Sequence, residues 1–120
     1  MHIITAYYYA CADYLKEYLP CIPKLKLTNA KTYYGRIYIK NGEFESIALS
    51  KWNLDCGRSE WWDKEDIDIL IETICHEFAH MSIWEHGKDH DELTRLFIIL
   101  AKSRIELQAL NEHQKLEMCC

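Results

Sequence analysis

The distribution of apolar residues predicts an α+β domain, and three observations carry that prediction. Asn41-Gly42 separates two β-prone runs, residues 33–39 and 43–49. Asn-Gly is the strongest short hairpin signal, because both central positions of a type I′ turn need positive φ. Ile67, Ile71, Ile74 and Phe78 recur at three- and four-residue intervals, which is the period of a half-buried helix. Residues 5–19 and 89–110 carry similar helical patterning at either end of the chain.

Each element follows from its residues. The first helix, 5–19, is stopped by Pro20 and Pro23. Lys24-Leu25-Lys26-Leu27 alternates like a half-exposed strand, so the hairpin gains a third strand in a small, antiparallel-rich sheet. A loop from residue 52 to 62 contains Gly57 and leads to Asp63, an N-cap, with Asp66 at the positive end of the helix that follows. Gly87 is the expected C′ residue of that helix. Asp89 and Glu92 then form a capping-box-like start for a last helix running to about residue 110. The prediction is one domain over residues 1–110 and a polar tail, 111–120, with no repeats.

Composition narrows the function classes. The chain has 120 residues, of which 49% are hydrophobic, enough for a sizeable core in a single domain. A net charge of −5 provides no basic footprint for general nucleic-acid binding. No run approaches the roughly 18 apolar residues that span a bilayer. The first residues lack a basic n-region and carry Asp13, so a signal peptide is not expected and the chain reads as cytoplasmic. The six cysteines form no C-x-x-C pair, which leaves a zinc ribbon unsupported and free thiols as the expectation. Cys75, about 100° round the helix from its neighbour His76, reads as a small core residue.

His76-Glu77-Phe78-Ala79-His80 is an H-E-x-x-H sequence within the patterned helix. Residues four apart share a helix face, so His76 and His80 can grip one Zn2+ while Glu77 stands beside it. A shuffled chain of this composition would hold the motif about 0.03 times. A catalytic zinc takes three protein ligands and leaves the fourth position open. Two histidines compete for the third place. His86 has the spacing of sites in which a glycine breaks the helix, but Ile83 occupies that glycine's position. A helix continuing to His86 would turn it about 240° away from His80. His90 follows the Gly87 break at the first turn of the next helix, and a chain reversal there favours it. Glu92 and Glu106 are further candidates with ordinary solvent-facing roles. Glu77 is the expected general base, taking a proton from the attacking water. Tyr33, Tyr34, Arg95, Arg104 and His113 are candidates for stabilising the oxyanion, none favoured over the others.

From residue 72 to 97, ETICHEFAHMSIWEHGKDHDELTRLF resembles the SprT-like zinc metallopeptidases, which carry H-E-hydrophobic-A-H and a third histidine opening the next helix. Tyr34-Gly35-Arg36 and Ile47-Ala48-Leu49-Ser50 resemble the strands that precede that family's active-site helix. The resemblance implies a minimal zincin-like fold, with His90 at the ligand position and His86 at a non-ligand position. The chain departs from the family in a shorter loop before His90, in Thr94 where an aromatic is usual, and in lacking a zinc ribbon. The chain is also similar to the minigluzincins, which are about this length and latent through their C-terminal segments.

Together these readings predict a zinc-dependent metallopeptidase acting on a peptide or protein substrate, with metal ligands His76, His80 and His90 and general base Glu77. The runner-up is a catalytically inactive, zinc-stabilised interaction module. Nucleic acid enters as a partner only through the resemblance. The hairpin is expected to lie along the substrate. The tail, with His113, Glu117, Cys119 and Cys120, is long enough to reach back as an inhibitory plug, since ten extended residues span about 33 Å, and the alternative is a frayed chain end without a role.

Overall fold

The central strand of the sheet is the last to form in chain order. In the computed structural model, which describes residues 3–51 and 67–118 with side chains to residue 107, β3 (Glu43–Ser50) lies between β1 (Lys24–Thr28) and β2 (Gly35–Lys40). β2 and β3 form the predicted hairpin, with Asn41 at φ 54° and Gly42 at φ 77° filling its two-residue turn. The pairing shifts register between Tyr38 and Ile39, so β3 carries one extra residue and bends there.

β1 pairs with β3 in parallel, from Lys24 opposite Ser46 to Thr28 opposite Ser50. The sheet is therefore mixed and not antiparallel-rich. The reason lies in residues 29–34, which reverse the chain after β1 and carry it two strand spacings sideways, about 10 Å. The tight hairpin then returns β3 into the gap. Lys51 N–H donates to the Thr28 carbonyl at 2.9 Å and Ser50 N–H to the Tyr34 carbonyl at 2.8 Å, closing the sheet at this end.

Three helices complete the described fold: α1 (Ile3–Leu15), α2 (Ile67–His80) and α3 (Lys88–Met118). α1 ends four residues short of the sequence expectation, and its chain tightens into a 3-10 turn at Lys16–Tyr18. Ile4, Tyr8, Cys11, Ala12 and Leu15 form its buried face. They pack against Leu70, Ile71, Ile74, Cys75 and Phe78 of α2, Phe97 and Ala101 of α3, and Ile47 and Leu49 of the sheet. The Tyr8 hydroxyl donates to the Pro23 carbonyl at 2.6 Å, tying α1 to the start of β1. Its ring lies 5.2 Å from that of Phe78.

Two boundaries differ from expectation near the motif. α2 ends at His80, not at Gly87. Past it, Met81 N–H donates to the Phe78 carbonyl and Ser82 N–H to that of Ala79, the tightened i→i−3 pattern of a closing turn. Gly87 instead opens α3, its carbonyl accepting from Asp91 N–H at 3.0 Å. α3 runs on through Met118, so residues 111–118 continue the helix and do not form an extended tail. At 1.5 Å per residue its 31 residues span about 46 Å. The expected loop 52–62, Asp63 and Asp66 lie outside the described residues.

Candidate metal centre and cleft

The last turn of α2 carries the H-E-x-x-H residues, and the early end of that helix decides what joins them. Because α2 stops at His80, the seven residues 81–87 are free to fold back over its C-terminal end. They bring His86 to the pair. The Nε2 atoms of His76 and His80 are 3.1 Å apart, those of His80 and His86 3.1 Å, and those of His86 and His76 3.3 Å. This trio could hold a metal ion. His80 Nδ1 lies 3.1 Å from the Ile83 carbonyl, which only accepts, so Nδ1 carries the proton and Nε2 presents its lone pair to the cluster.

His90, the third ligand expected from the sequence, packs its ring against the trio but is not among the residues whose ligand atoms converge. It lies at 0% exposure on the inner face of α3, with Nε2 3.0 Å from the His76 carbonyl. His86 is rotated away from His80 only on a helix that continues past His80, and α2 does not.

Glu77 is 7% exposed, and burial raises its carboxyl from the usual range to about 7. Burial also lowers His76 to about 4, with the neighbouring His90, His80 and His86 adding to the effect. His80 is lowered by burial too, against the opposing hydrogen bond with Ile83. Imidazoles held neutral present lone pairs, which is the form a metal needs.

Gly35, at the start of β2, fits tightly over Glu77. A Cβ there would lie 2.9 Å from Glu77 Cγ, 3.0 Å from its Oε1 and 3.0 Å from Leu49 Cδ2. Glycine lets the strand backbone pass directly over the carboxylate. On one side a cleft of about 570 Å³ is lined by Arg36, Ile37, His80, Trp84, Glu85 and His86. On the other, a cleft of about 430 Å³ is lined by Tyr34, Ile69, Glu72 and Thr73. Gly35, His76 and Glu77 line both, so the two meet at the histidine cluster.

Trp84 and Ile37 line the larger cleft without a motif that marks them in the sequence, and Gly35 is marked only by the family resemblance. A glycine opening a β-prone run is the one signal that could have singled out Gly35. Of the oxyanion candidates, Tyr34 lines the smaller cleft, whereas Tyr33 packs its ring against the Arg36 guanidinium at 4.1 Å. Arg95 and Arg104 are exposed on α3, Arg104 lining a separate cleft beside α1. Glu92 and Glu106 are exposed on α3, and Glu92 lies 3.9 Å from Lys88. The side chains of His113, Glu117, Cys119 and Cys120 lie outside the described residues. Cys11 and Cys75 are buried free thiols, and Cys21 is an exposed one. No helix among the described residues is long and apolar enough to cross a membrane. Comparison with protein-family models, curated proteins and solved structures found no match.

Proposed function

We propose that this protein is a zinc-dependent endopeptidase whose metal is held by His76, His80 and His86. The spacing of the three Nε2 atoms carries the reading. Zinc binds imidazole at 2.0–2.1 Å with tetrahedral angles, which sets neighbouring ligand nitrogens about 3.3–3.4 Å apart. The observed 3.1, 3.1 and 3.3 Å are close to one face of that tetrahedron. Three ligands leave the fourth position for a reacting molecule, the pattern of a catalytic site.

Bound there, zinc would supply a Lewis acid that polarises a carbonyl and acidifies a water. Glu77 takes the proton from the attacking water and returns it to the departing amine. In the metal-free protein burial raises this carboxyl to about 7, the direction that makes it a stronger base. His80 keeps the right tautomer through Ile83. β2 is an edge strand among the described residues, and an extended peptide added to it would pass over Glu77. The clefts continue on both sides of Glu77, which favours cutting within a chain over trimming its ends. An inactive interaction module would have no use for a buried carboxyl beside a three-histidine cluster.

The test is metal stoichiometry together with cleavage of a denatured protein substrate. The parent should bind one zinc and cut, and Glu77→Gln should bind one zinc and cut at least about 100-fold more slowly. A parent that binds zinc but cuts no faster than Glu77→Gln would overturn the reading.

A further inference from the structure

We infer that His90 is a positioning residue for the metal centre, acting as a hydrogen-bonding strut from α3 and not as a ligand. This rests on the proposed three-histidine site. The His90 ring is fully buried, stacked on the His80 ring at a centroid distance of 3.9 Å and 19° between planes. It meets the His76 ring edge-on at 4.5 Å and 82°. The His86 ring also lies edge-on to it, at 5.5 Å and 82°, so His90 packs against all three rings that would hold the ion.

The protonation of His90 follows from its partner. Nε2 faces the His76 carbonyl at 3.0 Å, and a carbonyl only accepts, so Nε2 carries the proton and donates. That nitrogen is then committed to the backbone of a ligand residue and offers no lone pair. Nδ1 is buried with no hydrogen-bond partner among the described residues. The nearest carboxylate oxygen, Asp91 Oδ1, is 3.9 Å away, beyond hydrogen-bonding distance. A buried nitrogen without a partner is costly, and an apolar ring would fill the space without that cost. The histidine must contribute something that an apolar ring lacks, and the one feature in view is the Nε2–H bond to His76.

The consequence is mechanical. His76 and His80 sit in the last turn of α2, where helices fray. His90 projects from the first turn of α3, on the same face as Phe97 and Ala101, which anchor that helix in the core. Thr94 Oγ1 donates to the His90 carbonyl at 2.8 Å, fixing the turn from which the ring projects. The strut thus transmits the rigidity of the α2–α3 packing to the backbone of a ligand-bearing turn.

Two substitutions separate the donor from the ring. His90→Phe keeps an aromatic surface against His80 and removes the donor. His90→Gln removes the ring but carries an amide N–H of similar reach to the His76 carbonyl. Co2+ serves as the probe, because its visible absorption band reports the number and type of ligands. Unfolding midpoints in chelator check that each variant is folded. At saturating Co2+, both variants should bind one equivalent with the parent's band. Affinity should fall about 10–100-fold in His90→Phe, the usual effect of losing an outer-shell partner, and recover in His90→Gln. His86→Ala, in contrast, should lose the parent's band. A changed band in both His90 variants would make His90 a ligand, and equal affinities in parent and His90→Phe would make it packing only. Either result overturns the inference while leaving zinc binding in place. A parent that binds no Co2+ would instead remove the metal centre itself.

Discussion

Replacing Glu77 by glutamine should make the metal-free protein more stable, and increasingly so as pH rises. A carboxyl raised from 4.5 to about 7 binds its proton more tightly in the folded chain than in the unfolded one. Folding therefore takes up a proton between those two values, and stability falls as pH climbs through that window. The displacement corresponds to ~3 kcal/mol at 1.36 kcal/mol per pH unit. Glutamine has no proton to lose. The difference in unfolding free energy, Glu77→Gln minus parent, should be flat below about pH 4.5, rise by ~3 kcal/mol up to about pH 7, then level off. His76 pulls the other way, because a pKa lowered to about 4 gives stability that is lost as pH falls from 6.5. It is present in both proteins and cancels in the difference. Urea unfolding in chelator at pH 4, 6 and 8 measures the quantity. Curves that stay parallel across that range would show that Glu77 is solvated, refuting both the buried carboxyl and the argument that it is poised near neutrality. With zinc added, the nearby positive charge should shrink the step.

Turnover of Glu77→Gln should fall by about 10²–10⁴-fold with zinc content unchanged, measured on a peptide substrate. Gly35→Ala should displace β2 or Glu77. It should cost about 1–3 kcal/mol in urea unfolding and cut turnover more than zinc affinity, because the added methyl meets Glu77 at 2.9 Å. In the metal-free protein, NMR should find the His76 imidazole neutral down to about pH 5, since burial holds its pKa near 4. Truncation after Leu110 should leave zinc content and activity as in the parent, because the helical rise carries Met118 about 42 Å along α3 from His90. A rise in activity on truncation would restore the tail as an inhibitor.

Much of the fold was legible where chemistry is local. Asn41-Gly42 dictated a hairpin because few other residue pairs accept positive φ twice in succession. The spacing of Ile71, Ile74 and Phe78 revealed the inner face of α2, and all three are buried. What failed depends on contacts between distant residues. The direction of β1 is set by how far residues 29–34 travel, and no local pattern encodes that distance. Whether His86 could join His76 and His80 depended on where α2 stops. No glycine or proline marks that stop, and the His80 bond to the Ile83 carbonyl helps hold the turn that follows. Taking Gly87 as the C′ residue carried the helix about 1.7 turns past His80 and rotated His86 about 240° away from it. The end of α3 was misjudged for the opposite reason: a polar segment needs no buried face to remain helical.

The edge of β2, open among the described residues, also bears on self-association. An unpaired strand edge that accepts a peptide will equally accept a second copy of itself, which is how exposed strands start aggregates. In β2, Arg36 and Lys40 lie four residues apart with Tyr38 midway. If two copies paired antiparallel about Tyr38, Arg36 of each would face Lys40 of the other. Parallel pairing in register would set arginine against arginine and lysine against lysine. Like charges directly opposed across a strand pair are unfavourable in either arrangement. The same two cations leave the edge open to neutral or acidic strands, so the strand repels its own kind while remaining available to others.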